Sequence, residues 1–419
     1  MVKESVAAAT VLMSVMALLA SQPVSGLTPF EIEASARTAT HHQRIVTQLL
    51  ASNRLHGRDN NTQDSQIAQR ILVRLLRRFA DGIDGGASGD AAYQQPFVLG
   101  DQSGTNLLGV IRGRELPQEY VVVGAHYDHL GTRSASNGRC SARGAIASAP
   151  CNGATDNATG VAAVLGIAAA LRSLPEPPRR SVVLALWDAE EDGLVGSKYY
   201  VTHPLLPLVD TVGYVNFDIL GQDLLPSLKD VSFAVGSETG GDALQQIVDA
   251  ALLPETLRLH KVSYILGEER SDYKNFVDHR VPTVFLSDAT GPCYHTTGDD
   301  LTIVNFAKLR AQTRVALRIV TALAESTAPP PFAGKGPLPV RYGDAQALDD
   351  VFRLAQVDFG LFSPSDRALF ERLSADMARW VADGPQAFDA NDVLSFLGDA
   401  GQAIDGLTHI ECRHARPGH

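Results

Sequence analysis

Tyr120-Val121-Val122-Val123-Gly124-Ala125-His126-Tyr127-Asp128-His129 begins as an unbroken apolar run and ends in titratable side chains. A β-branched run without polar alternation is the mark of a strand buried on both faces, as in a sheet covered by helices. The strand spans 120–125, and the same signature returns at 106–111, 181–187, 212–219, 231–235 and 282–286, each run bounded by turn residues. Between the runs lie segments of helical character at 160–174, 240–253 and 305–325. That alternation predicts an α/β domain with a mostly parallel, mixed central sheet and helices on both faces.

Outward from this block, 30–80 has helical spacing, as at Ile67, Ile71, Leu72 and Leu75. The Gly- and Asp-rich 81–90 reads as a loop. The Pro- and Gly-rich 327–339 reads as a linker. Beyond it, 345–355, 366–382 and 390–404 read as amphipathic helices of a small C-terminal appendage, residues 340–419. Asp389 reads as a helix cap, since the acids around it lack calcium-loop spacing. At the other end, Lys3, the apolar run 6–20 and the small residues of 21–26 read as a secretory signal peptide, too short to span a bilayer. The expected location is therefore exported, periplasmic or extracellular. In an exported chain four cysteines permit two disulfides in three pairings. The most local choice joins Cys140 to Cys151 and leaves Cys293 with Cys412; four free buried thiols are the alternative.

Hydrophobic residues make up 45% of the 419 and charged ones 20%, ordinary for a globular protein. The net charge of −11 argues against nucleic acid and anionic membrane as partners, because no basic field attracts phosphate.

Five stretches carry candidate chemistry. Ligands in open α/β sheets collect at the carboxyl ends of strands, so strands bring distant residues to one edge. His126 follows its strand; a neutral imidazole is a good zinc ligand, and Asp128 can hold its other ring nitrogen. Taken alone, the two read as a surface pair. Asp156 sits in the polar turn 153–160, where the plain reading is a helix N-cap. Asp188, Glu190, Glu191 and Asp192 crowd the end of 181–187. Carboxylates so close to a buried strand are costly unless something positive meets them, although a solvated acidic loop remains the alternative. Asp218 lies within an apolar strand and needs a partner. His295 completes a set of two His, two Asp and one Glu, or else is a loop histidine facing solvent. Together they describe two cations sharing Asp156, with His126 and Asp218 on one and Glu191 and His295 on the other. Both remain open to water, as two-metal hydrolysis requires.

The stretches AHYDHLG from Ala125, NGATDNATG from Asn152, AEEDGLVGS from Ala189, NFD from Asn216, SDYKNF from Ser271 and YHTTGDD from Tyr294 carry a resemblance. In order, spacing and identity, residues 30–325 resemble the di-zinc aminopeptidases of the bacterial leucyl aminopeptidase type, relatives of glutaminyl cyclases and glutamate carboxypeptidases. The resemblance implies a zinc exopeptidase fold over 27–326 and two Zn2+ ions per chain. It implies His126 and Asp218 on one zinc, Glu191 and His295 on the other, and Asp156 bridging. It also implies Glu190 as general base, Asp128 orienting His126, and a cis bond between Asp156 and Asn157. Asn157 stands where many relatives carry a second Asp, a change tolerable in a residue that is not a ligand. The stretch 132–150 is longer than minimal and could shape the substrate entrance. The protease-associated domain of some relatives has no room here, and the chain from Pro329 onward lies outside the resemblance.

The expected activity is hydrolysis of the N-terminal bond of peptides with a free α-amine, by a metal-activated water and Glu190. Glutaminyl cyclisation with one zinc, carboxypeptidase or endopeptidase action, and a non-catalytic binding relative are the alternatives. The AEEDGLVGS run fits the peptidase form better than the cyclase, and the ligands and base that a non-catalytic relative usually loses are all present. Tyr264, Ile265, Phe276 and Tyr294 are candidates for a pocket wall, with core packing the other reading of Phe276. Asn60-Asn61-Thr62 matches a glycosylation acceptor.

Overall fold

The computed structural model describes residues 27–135, 138–141, 149–252, 255–336 and 339–412. The signal-peptide stretch 1–26 lies outside the described residues. Among these residues nine strands form one sheet: β1 (Asp81–Gly82), β2 (Gln94–Leu99), β3 (Gln102–Ile111), β4 (Leu116–His126), β5 (Arg180–Trp187), β6 (Thr211–Phe217), β7 (Val231–Val235), β8 (Arg258–Val262) and β9 (Thr283–Ser287). The spatial order is β1-β3-β5-β4-β6-β9-β7-β8, with β2 also paired to β3. The centre is parallel, β4 pairing with both β5 and β6, and β6 with β9. Antiparallel pairs flank it, β3 on β5 and β7 on β9.

The continuous apolar runs became strands because both faces are covered. Successive residues of β4 alternate between two cores, Val121 and Val123 into one, Tyr120 and Val122 into the other. Helices Pro29–Thr40, Gln43–Leu50, Gln63–Leu76, Thr159–Arg172, Gly241–Leu252 and Phe306–Glu325 pack on the first face. The stretch Ala154–Arg172 is long and apolar enough to cross a bilayer, yet 94% of its most apolar window is buried inside the fold, where Thr159–Arg172 serves as the core helix. The second face is covered by Val195–Thr202, Tyr273–Asp278 and the C-terminal helices Tyr342–Ala355, Pro364–Asp383 and Ala390–Thr408. Asp389 caps the last of these, accepting from the Asn391 and Asp392 amides.

Three strands fall outside the sequence reading. β1 lies in the stretch read as a loop, and β2 and β8 are peripheral strands of mixed burial, without the continuous apolar signature. Both disulfides form as the local pairing expects, Cys140–Cys151 and Cys293–Cys412. The glycosylation reading does not survive: Asn60 is buried, and its side-chain amide donates to Ser103 O at 2.9 Å.

Candidate active site

Sheet register aligns the site. His126, the last residue of β4, lies opposite Trp187, the last of β5, so the turn carrying Glu190 and Glu191 emerges beside it. On the other flank Gly124 pairs with Asn216, and two residues further on Asp218 stands level with His126. His126 Nε2 is 3.3 Å from Asp218 Oδ1 and 3.2 Å from Asp156 Oδ1. Asp156 enters from the turn before the core helix, across a cis peptide with Asn157. Its other oxygen, Oδ2, is 3.4 Å from His295 Nε2, which in turn lies 3.2 Å from Glu191 Oε2. Glu190 Oε2 is 3.8 Å from His126 Nε2. Asp156, Glu190, Glu191, Asp218 and His295 line one cavity.

Each of these side chains is held from behind. The Asp128 carboxylate accepts the amides of Glu190 (3.1 Å) and Glu191 (3.2 Å), fixing the turn that presents both glutamates. It also flanks His126, its Oδ1 3.6 Å from Nδ1, while its carbonyl lies nearer at 3.2 Å. Asp299, at the end of YHTTGDD, accepts the amides of Thr155 (2.8 Å) and Asp156 (3.0 Å) and fixes the bridging turn. Asn157 donates to Phe217 O at 2.7 Å and accepts from the Gly160 amide, tying that turn to β6 and starting the helix. The loop of His295 is bound by the Ser141 amide at 2.8 Å and by the Cys293–Cys412 bridge. Part of the stretch 132–150 thus buttresses the site, although 136–137 and 142–148 lie outside the described residues.

Besides Asp299, two further residues near the site have no role assigned from the sequence. Arg58 is fully buried and donates to the carbonyls of Leu50, Tyr127, Asn152, Gly153 and Asp156. No local pattern marks an arginine whose partners are all backbone. His129 lies in the stretch that begins at Ala125, and its Nδ1 is 2.6 Å from Glu191 Oε1. Of the proposed wall residues, Tyr294 lines the cavity and stacks on His295 with centroids 3.7 Å apart. Phe276 belongs to the core, stacked on Tyr214 at 3.8 Å, and neither it nor Tyr264 nor Ile265 lines the cavity.

Electrostatics sort the two glutamates. Burial pushes the Glu190 carboxyl well above its ordinary value; His126 opposes this, while Asp218, Glu191 and Asp272 add to it. Burial and Asp156 push Glu191 up too, but His129 and His295 outweigh them and hold it down at about 2. Carboxylates gathered this closely are costly without a cation among them. The donor spacing fits one. Corners of a tetrahedron about 2.0–2.1 Å from a central zinc stand about 3.3–3.4 Å apart. The gaps here are 3.2 and 3.3 Å around His126 and 3.2 and 3.4 Å around His295. His295 Nε2 is buried and has no hydrogen-bond partner among the described residues. His129, Asp156 and Glu191 also lie within ligand reach of one another, but 2.6 Å between His129 and Glu191 is hydrogen-bond spacing. Imidazole nitrogens and carboxylate oxygens facing an open cavity suit zinc.

The sequence profile of peptidase family M28 matches residues 106–320, just over half of the 419. The chain belongs to peptidase family M28. M28 is a family of zinc peptidases, so this is a chain of hydrolase type, and the whole constellation from His126 to His295 lies inside the matched span. The probable glutamate carboxypeptidase LAMP1 of Arabidopsis thaliana is 31% identical to this M28 chain over 234 residues, 52% of this chain. The match takes in only 31% of that relative's own length. The solved LapA aminopeptidase of Legionella pneumophila superposes with a TM-score of 0.56 at 18% identity, over 74% of this chain and 79% of that one. The Porphyromonas gingivalis glutaminyl cyclase does so at 0.53 and 16%, over 68% of this chain and 97% of that one. These two likenesses show a shared fold.

Proposed function

We propose that the chain is a zinc-dependent exopeptidase, specifically an aminopeptidase that hydrolyses the N-terminal bond of peptides, with two Zn2+ ions per chain. His126 and Asp218 would hold one ion, Glu191 and His295 the other, and Asp156 would bridge them. The observation that carries this reading is the single carboxylate of Asp156 between two imidazoles, with Glu190 within reach of the same centre. Bound zinc supplies Lewis acidity toward a carbonyl oxygen and lowers the pKa of a water toward neutrality. Burial keeps the Glu190 carboxylate basic, suiting Oε2 to take a proton from water and return it to the leaving amine. Asp128 positions His126 and, through the amides of Glu190 and Glu191, the turn that carries both glutamates. His129 holds Glu191 by its hydrogen bond and acts as a positioning residue. The acidic surroundings favour a substrate carrying a positive α-amine, which supports action at the amino terminus. Two disulfides together with the signal-type N-terminus support an exported protein.

Glu190→Gln should lower kcat about 10²–10⁴-fold, the usual worth of a general base, and keep its zinc by metal analysis. Undiminished turnover in pure protein removes Glu190 from that role. The relative named a glutamate carboxypeptidase makes carboxypeptidase action the second reading. Digestion of a peptide library separates the two by which terminus shortens, and a glutaminyl-peptide substrate tests cyclisation.

A further inference from the structure

The cavity continues well past the catalytic side chains. From Asp156, Glu190 and Asp218 it passes Ile219 after β6, Phe285 on β9, Phe233 on β7 and Val262 on β8. Those four strands are neighbours in that order. With strands about 4.8 Å apart, the cavity crosses about 14 Å of sheet. The opposite wall comes from the three C-terminal helices, through Leu348, Phe352, Phe370, Ala400, Ala403 and Leu407. These residues follow the M28-matched span, which ends at residue 320. The space open to the centres of water-sized molecules is about 170 Å³. Protein interiors pack tightly and keep few voids larger than a water. An apolar space of this size inside the second core, continuous with the carboxylates of the candidate site, suits a ligand. That span exceeds the length of a leucine or phenylalanine side chain.

We propose that the C-terminal helices complete the substrate cavity and that it receives a straight apolar chain, longer than any standard side chain, carried by the residue whose carbonyl is attacked. The position of the chain on the first residue rests on the aminopeptidase reading; the affinity of the cavity for long alkyl groups does not. The preferred substrates are thus peptides or amides whose terminal residue is lipid-like.

Calorimetric titration of the full chain with n-butylamine, n-octylamine and n-dodecylamine, below micelle formation, reads the cavity without turnover. Binding should tighten about tenfold or more from butyl to octyl as methylenes leave water, with no loss for dodecyl. Ala403→Trp, which projects a large ring from the helical wall into the cavity, should cancel that gain. Affinity independent of chain length overturns the proposal, as does a gain left intact by A403W at an unchanged melting temperature. If A403W fails to fold, the wild-type series alone decides. Cleavage of alanyl and 2-aminodecanoyl p-nitroanilides keeps the two readings apart. Chain-length-dependent binding with neither anilide cut sustains the cavity and sinks the aminopeptidase assignment. Cleavage of the alanyl substrate with no length dependence in either assay does the reverse.

Discussion

Arg58 carries a positive charge into the interior, with no exposed surface, and directs it at backbone carbonyls. Three of its partners, the carbonyls of Tyr127, Gly153 and Asp156, lie in the two segments that deliver His126 and the bridging carboxylate. Buried carbonyls left without donors cost the full desolvation of each group. Arg58→Met should therefore lower unfolding free energy by about 3 kcal/mol or more, read by urea denaturation. Zinc affinity should fall with it, because both segments lose their common anchor. Arg58→Lys should recover only part of the loss, since an ammonium cannot reproduce the planar fork of donors. A variant as stable as the parent would show that water replaces the guanidinium.

At the scale of elements, the core helix sets the position of Asp156 at its amino end. Half of its fourteen residues are alanine or glycine, which lets the helix Pro29–Thr40 approach closely. A Cβ on Gly166 would run into the Ala39 carbonyl of that helix. Gly166→Val should force the pair apart and cost about 1–3 kcal/mol, the usual penalty of overpacking, visible as a lower urea midpoint. Gly160→Ala should instead perturb the site itself, because a Cβ there meets the Asn157 side chain that ties the turn to β6. Zinc affinity is the measurement that separates the two glycines: it should fall in the second variant and hold in the first.

Across the whole molecule, the Cys293–Cys412 bridge joins the C-terminal helices to the loop of His295, over a separation of 119 residues. Cys140–Cys151 closes only 11. In the chain-entropy picture the longer loop contributes about 5 kcal/mol and the shorter about 3 kcal/mol. Replacing both members of each pair by serine should reproduce that order in denaturant unfolding. Loss of the long bridge should also reduce activity more, because the loop of His295 and the tail of the cavity-building extension are both released. Equal losses from the two pairs would contradict this coupling.

Most strand positions and the helices between them are legible along the chain because each leaves a local trace, whereas the five prospective ligands read plainly one by one and stand out only as a set. Buried strands read as continuous β-branched runs, and acids placed where an apolar run ends announce an unmet need for positive charge. Asp128 is legible as a neighbour of His126, but its grip on the glutamate turn is not, since backbone amides carry no residue code. Arg58, His129 and Asp299 carry no such trace for the same reason: their partners are distant in sequence or are main chain. β2 and β8 lack the both-face burial that makes a strand conspicuous. Residue type and local period therefore decide which elements form and which groups can do chemistry. Which strands lie side by side, and what the C-terminal helices enclose, belongs to the packed fold alone, because contacts between remote segments follow from burying shared apolar surface.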